Sequence, residues 1–223
     1  MLTDSLQDHI FTLSYTVIPV LLGIILHEVA HGYAAYRMGD PTAKRAGRLT
    51  LNPLPHIDPA GLIVFILTAI TGPFVFGWAK PVPIDMRHFR KPRFGLVATA
   101  AAGPLTNLAL ALLFAVFMKA LITFTPDSMQ GSTPAKFLWY MASAGIFVNL
   151  GLAWFNLIPI PPLDGSRIVT GLLPYTAARR YASLERYGFV ILLVFLMTDL
   201  SSKIPYPPVR ASLGLILKLT GLD

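Results

Sequence analysis

Residues 94–118 contain no acidic or basic side chain, and no other stretch constrains the fold as strongly. As a helix they extend ~37 Å, enough to cross a hydrocarbon core of ~30 Å. A second uncharged run covers 137–163, and a third apolar run covers 10–36. Lipid offers no partner to backbone N–H and C=O groups, so such runs must bond internally as helices. The rest of the composition agrees: 54% of the 223 residues are hydrophobic and 13% are charged, against ~25% charged in soluble domains. The expected fold is an all-α polytopic membrane protein in a lipid bilayer. A net charge of +7 would suit nucleic acid if it formed a patch. Here most of the Lys and Arg residues sit in 37–59, 78–93 and 166–186, between apolar runs, where they set orientation. No nucleic-acid partner is expected. There is no cysteine, which excludes disulfides and thiolate metal ligands.

The run 10–36 carries His27-Glu28-Val29-Ala30-His31. Residues four apart share one helix face, so the two imidazoles can meet at one point. That pair suits a tetrahedral Zn²⁺, and the Glu28 carboxylate can take a proton from water that the metal activates. On a solvated helix the same spacing is often accidental. A carboxylate at the centre of a membrane helix costs ~2.5–3.5 kcal/mol, so one without a use is not expected there. One Zn²⁺ per chain is the expected cofactor.

A catalytic zinc takes three protein ligands and leaves one position open. His9 lies at the far end of the first run, His88 in a basic loop, and His56 in the turn-rich 51–59. Asp164 follows the proline run 159–162, which ends the third long run and can turn a carboxylate inward. Pro-Pro-Leu-Asp-Gly is also ordinary turn chemistry. Residue types alone leave Asp164 open between ligand and turn.

Charge sets the expected topology. With the three basic loops cytoplasmic, the N-terminus with Asp4 and Asp8 lies outside, and His27, His31, Asn107 and Asp164 fall toward the cytoplasmic side. Residues 1–9 lack a basic n-region, so the His-bearing run is expected to be retained rather than cleaved as a signal peptide. For the parity to hold, 60–77 must leave and return on one side as a re-entrant segment buried against protein. The alternation over 48–51 reads as a short strand or extended loop, suited to pairing with an unwound substrate strand. Residues 187–200 are apolar but short, and 207–222 read as an interfacial or weakly spanning helix. The expected organisation is a core over 1–200, with about four membrane helices and the re-entrant segment, and a C-terminal helix in 201–223.

The His27–His31 motif in a membrane helix, followed by Asn156-Leu157-Ile158-Pro159-Ile160-Pro161-Pro162-Leu163-Asp164-Gly165, resembles the site-2 protease family of intramembrane zinc metalloproteases. Gly103-Pro104-Leu105-Thr106-Asn107 is similar to a third family feature on the intervening helix. The segments 52–59 and 77–83 resemble its compact bacterial and archaeal branch. The likeness covers about 23–168. It implies that Asp164 is the third zinc ligand beside His27 and His31, that Glu28 is the general base, and that the substrate is a membrane-embedded protein or peptide. For Asn107 it implies a hydrogen bond to substrate or intermediate, and a bond between packed helices stands beside it as an alternative. Asn149 and Asn156 read as packing or backbone-satisfying residues. The loop 119–136 and the tail after 200 are short for the PDZ or CBS domains of other members. Gating then falls to a regulatory partner or the last apolar segments, and a homo-oligomer stands beside the regulatory partner among the expected assemblies. The alternative from another class is a non-proteolytic membrane zinc carrier, which would be expected to show repeats and ligands on several helices.

Overall fold

The computed structural model describes residues 2–71, 77–126 and 131–222. Three helices are long and apolar enough to cross a membrane: α1 (Leu2–Met38), and, after a short α2 (Thr42–Arg45) and an apolar α3 (Pro59–Thr71), α4 (Pro92–Phe124) and α5 (Thr133–Asn156). Five shorter helices follow: α6 (Asp164–Leu172), α7 (Tyr175–Ala182), α8 (Gly188–Leu196), α9 (Leu200–Lys203) and α10 (Tyr206–Thr220). The chain is a multi-pass, all-α membrane protein, as its composition required.

Local chemistry sets the ends of these helices. α1 stops in a turn where Gly39 adopts φ +113°, Asp40 N–H donates to the Ala35 carbonyl at 2.9 Å and Gly39 N–H to Tyr36 at 3.1 Å. A side chain at Gly39 would be strained by that φ and would meet the His88 carbonyl at 2.8 Å. α4 opens on Pro92, where a missing N–H costs nothing. α5 ends at Asn156 because Pro159, Pro161 and Pro162 cannot continue a helix. The uncharged run 137–163 is therefore not one helix, and Asp164 is the first residue of α6.

Small residues let the long helices close on one another. On α4 the buried positions Gly95, Thr99, Gly103, Asn107, Ala111 and Ala115 recur every fourth residue, a stripe that admits α1 and α5 at short range. The far half of the bundle is filled by Ala111, Ala115, Ala142, Ile146, Leu150 and Ile216. Ile216 belongs to α10, which is pinned there by the Trp154 indole N–H donating to Ser212 Oγ at 3.0 Å and Lys119 Nζ donating to the Gly221 carbonyl at 2.6 Å. Gly188, at the start of α8, lies against Pro161 and Pro162. The stretch from α8 to α10 thus runs from the proline turn to the far end of α4. It belongs to a pair of helical segments bent by 91°, apolar enough to serve together as a fourth crossing.

Two expectations are refined. Among the described residues there is no strand. The extended region holds one antiparallel bridge, Ile57 to Ala79, with Lys80 N–H donating to the His56 carbonyl at 2.9 Å. That bridge brings the two ends of 60–77 together, and a side chain on Gly61 would fall 2.1 Å from the Trp78 carbonyl. The segment leaves and returns at one place, although residues 72–76 lie outside the description. It is not buried against protein, however: Leu62, Ile63 and Ile66 of α3 are exposed. A helix bonds its own backbone, so α3 needs no protein cover to tolerate lipid.

Candidate metal centre

α1 presents His27 and His31 one turn apart on the face toward α4, both buried. His31 Nδ1–H donates to the Thr99 carbonyl of α4 at 2.7 Å; a carbonyl only accepts, so the proton lies on Nδ1. His27 Nδ1 faces Asn107 Oδ1 at 2.6 Å. The Asn107 amide nitrogen donates to the Gly23 carbonyl at 3.1 Å and to Asn149 Oδ1 at 2.8 Å. Its oxygen therefore faces the ring, and His27 Nδ1 carries the proton as well.

With Nδ1 engaged on each ring, both imidazoles turn Nε2 inward, and these two atoms stand 2.9 Å apart. Asp164, placed there by the proline turn, brings Oδ2 to 3.1 Å from His27 Nε2 and 3.2 Å from His31 Nε2. That oxygen is buried and receives no hydrogen bond. With each ring protonated at Nδ1 alone, the three atoms are acceptors that repel one another unless a cation lies between them. The separations are close to the ~3.3 Å between ligand atoms of a tetrahedral Zn²⁺ with bonds of ~2.0–2.1 Å. The donor set of two imidazoles and a carboxylate fits that ion. Among the described residues this is the only group of three or more His, Cys, Asp or Glu side chains able to hold a metal.

The turn that delivers Asp164 depends on close backbone contact. A side chain on Gly165 would fall 2.2 Å from the Leu157 carbonyl. α8 covers the same turn with Leu192 and Phe195, packed on Ile158 and Leu163. Arg93, at the start of α4, donates to the Gly171, Leu172 and Leu173 carbonyls at the end of α6. Gly103 is the floor of the centre: a side chain there would meet His31 Nε2 at 2.5 Å and His27 Nε2 at 2.6 Å. Gly103→Ala is expected to displace both rings and weaken zinc binding ~10–100-fold, the range seen when ligand orientation is lost. Zinc retention against a competing chelator is the measurement, and wild-type retention would refute this reading of the contact.

Glu28 is half-buried beside the pair, with Oε2 accepting from the Val82 N–H at 2.9 Å. Val82 belongs to the extended 79–85 segment, which lies over the centre and is tied down twice. Arg48 donates to the Lys80 carbonyl at 2.6 Å, and Asp40 Oδ2 accepts from Asp85 N–H at 2.7 Å. Burial pushes the Asp40 carboxyl up, but hydrogen bonds from the Thr42 hydroxyl and from the Asp85 and Thr42 N–H groups outweigh it and hold the group below its ordinary value. Its folded value is depressed, so its stabilisation is complete above the unfolded value of ~3.9 and is lost as pH falls through the folded one. At neutral pH, Asp40→Ala should lower the opening free energy of the 79–89 segment by ~1–3 kcal/mol. Amide exchange at Val82 and Asp85 would report it; unchanged protection would show that Asp40 does not secure the segment.

Between this segment, α4, α6 and α7 lies a cleft of about 310 Å³ lined by His31, Thr99, Val82, Ile84, Ser166 and Tyr181, among others. Of the sequence candidates, His27, His31 and Asp164 converge, with Glu28 adjacent. Asn107 is fully buried behind His27, with its amide hydrogens donated to the Gly23 carbonyl and Asn149 Oδ1 on the neighbouring helices. His56 is buried in its own turn, with Nε2–H donating to the Thr50 carbonyl at 2.9 Å. His88 lies 3.5 Å from Asp40 and 3.6 Å from Asp85, and His9 has no described side chain. The Thr99 carbonyl and the Val82 N–H were not legible in the sequence, because backbone groups leave no signature there.

Residues 121–198 match the model of peptidase family M50. YwhC of Bacillus subtilis (strain 168), provisionally named a zinc metalloprotease, is 38% identical over 92% of this chain and 90% of its own length. MJ0611 of Methanocaldococcus jannaschii, with the same provisional name, is 33% identical over 69% of this chain and 68% of its own. Rip2 of Mycolicibacterium smegmatis is 31% identical over 80% of this chain and 64% of its own. No solved structure matches the chain. With motifs, helices and relatives in agreement, the chain belongs to peptidase family M50, the site-2 protease family.

Proposed function

We propose that this protein is an intramembrane zinc metalloprotease that hydrolyses peptide bonds in membrane-embedded protein segments. In this reading His27, His31 and Asp164 hold one Zn²⁺ per chain and Glu28 is the general base. The observation that carries it is the convergence of three buried potential ligand atoms, from His27 and His31 on a helix long enough to cross a membrane and from Asp164 at the start of α6, with the Glu28 carboxylate adjacent. The depth of the centre supports the membrane part. Tyr15 stacks on Tyr140 at 5.4 Å, next to Trp139 and Phe11, while Tyr36 contacts Lys44 at the other end of α1. Interfacial aromatics mark such boundaries. From Tyr15 to Tyr36 the helix rises ~32 Å, and in this reading His31 lies ~8 Å inside the second boundary. We take that boundary to be cytoplasmic and the N-terminus to lie outside, from the basic loops around the site.

Zn²⁺ supplies Lewis acidity, lowering the pKa of water and polarising a carbonyl. Glu28, held through one oxygen by the Val82 N–H, takes a proton from the attacking water as its oxygen bonds to the peptide carbon. When the C–N bond breaks, Glu28 returns the proton to the leaving amine. Asn107 and Thr99 fix the proton on Nδ1 of each histidine, so that both Nε2 atoms stay available. A helical substrate must unwind before its carbonyl can enter the cleft.

The test is cleavage of a single-span protein by the chain reconstituted with zinc in vesicles, with products located by mass. Cuts within the apolar span are expected. Cuts confined to soluble peptides or flanking tails would overturn the intramembrane reading, and zinc flux without any cleavage would favour a carrier.

A further inference from the structure

We propose that Asn149 is a positioning residue of the metal centre, acting in series through Asn107 on His27. The inference rests on His27 being a metal ligand. Asn149 lies in α5 and is fully buried, where an amide is costly unless every polar atom has a partner. Its Nδ2 donates to the Gly145 carbonyl one turn back at 2.9 Å. That bond settles which way round the amide sits and leaves Oδ1 to accept from Asn107 Nδ2 at 2.8 Å. Asn107 in turn presents Oδ1 to His27 Nδ1 at 2.6 Å. The chain of bonds starts at a helix backbone and ends at the ring, and each link has one direction.

The direction matters because an Asn amide can turn over. With Asn149 in place, a turned Asn107 would set its oxygen against Asn149 Oδ1 and the Gly23 carbonyl, two acceptors facing a third. Without Asn149 only the 3.1 Å bond to Gly23 opposes the turn. A turned Asn107 offers N–H to His27 Nδ1, which favours the tautomer carrying its proton on Nε2. That nitrogen would then donate rather than ligate. The same residues also hold α1 against α4 and α5. A side chain on Gly23 would fall 2.9 Å from Asn149 Oδ1, so the α1 backbone one turn before His27 is seated in this pair.

The experiment uses the full chain in detergent. Zn²⁺ affinity is measured by chelator competition, the Co²⁺-substituted absorption spectrum reports ligand geometry, and thermal unfolding of the metal-free protein reports packing. Asn149→Leu should weaken Zn²⁺ ~10–100-fold and alter the Co²⁺ spectrum. Asn149→Asp, which keeps an oxygen for Asn107, should stay close to wild type in both. Because the residues act in series, adding Asn149→Leu to Asn107→Leu should weaken zinc no further than Asn107→Leu alone. Asn149→Ser, too short to reach Asn107, takes the place of Asn149→Leu if that variant does not fold. Wild-type zinc affinity and Co²⁺ spectrum in the Leu or Ser variant, whatever its melting temperature, would overturn the proposal. So would losses in affinity that multiply in the double variant. Zinc uptake by the wild type and its loss in Asp164→Ala establish the centre separately. If either fails, the metal-centre reading falls and takes this inference with it.

Discussion

Glu28→Gln should leave one zinc bound per chain and reduce cleavage ~10²–10⁴-fold, the contribution of a well-placed general base. Glutamine keeps the size of the side chain and an oxygen to accept from Val82 N–H, so the 79–85 segment should stay seated. It removes only the capacity to take up a proton. The three acceptors are untouched, so zinc affinity should not change. Zinc content and turnover of one single-span substrate, measured on the same preparations, form the test. Retained turnover would remove Glu28 from the reaction. Loss of zinc together with turnover would mean that Glu28 helps to hold the metal instead.

Asp164→Ala should give the largest loss of metal. It removes one of three ligand atoms, and affinity should fall by more than the ~10–100-fold typical of losing a group that merely orients a ligand. Its effect on stability should depend on zinc. In the wild type, zinc at a thousand times its Kd adds ~4.1 kcal/mol to folding, and the variant should gain little of it. Without metal the comparison should narrow or reverse, because the substitution removes a buried carboxylate oxygen 3.1 Å and 3.2 Å from two lone pairs. Melting temperatures with and without zinc, for both proteins, decide the matter. Equal zinc-dependent stabilisation would exclude Asp164 as a ligand.

The fold was legible where physics acts on single segments. Uncharged runs long enough to cross a membrane became helices, and Pro159, Pro161 and Pro162 ended one of them. Segment 60–77 was legible in its two ends and not in its surroundings, because an apolar helix looks the same against protein as against lipid. In α4 the buried stripe from Gly95 to Ala115 repeats every fourth residue; which helix packs on it was not legible, since small residues accept any neighbour. The motif residues of the centre were legible because their chemistry is unusual in an apolar run. The work of Asn107 was open between substrate and packing, because an amide is equally able to serve either.

What the sequence by itself determined is therefore the all-α membrane class, the His27–Glu28–His31 face, and the ending of the last long run before Asp164. These follow from helix period, hydropathy and the missing N–H of proline, which act over a few residues at a time. Only the tertiary structure decided that Asp164 meets the histidines, that the Thr99 carbonyl and Asn107 set their tautomers, and that Val82 covers Glu28. Each of those is a contact between segments distant along the chain, and its direction depends on which donor or acceptor a neighbouring helix has left unspent.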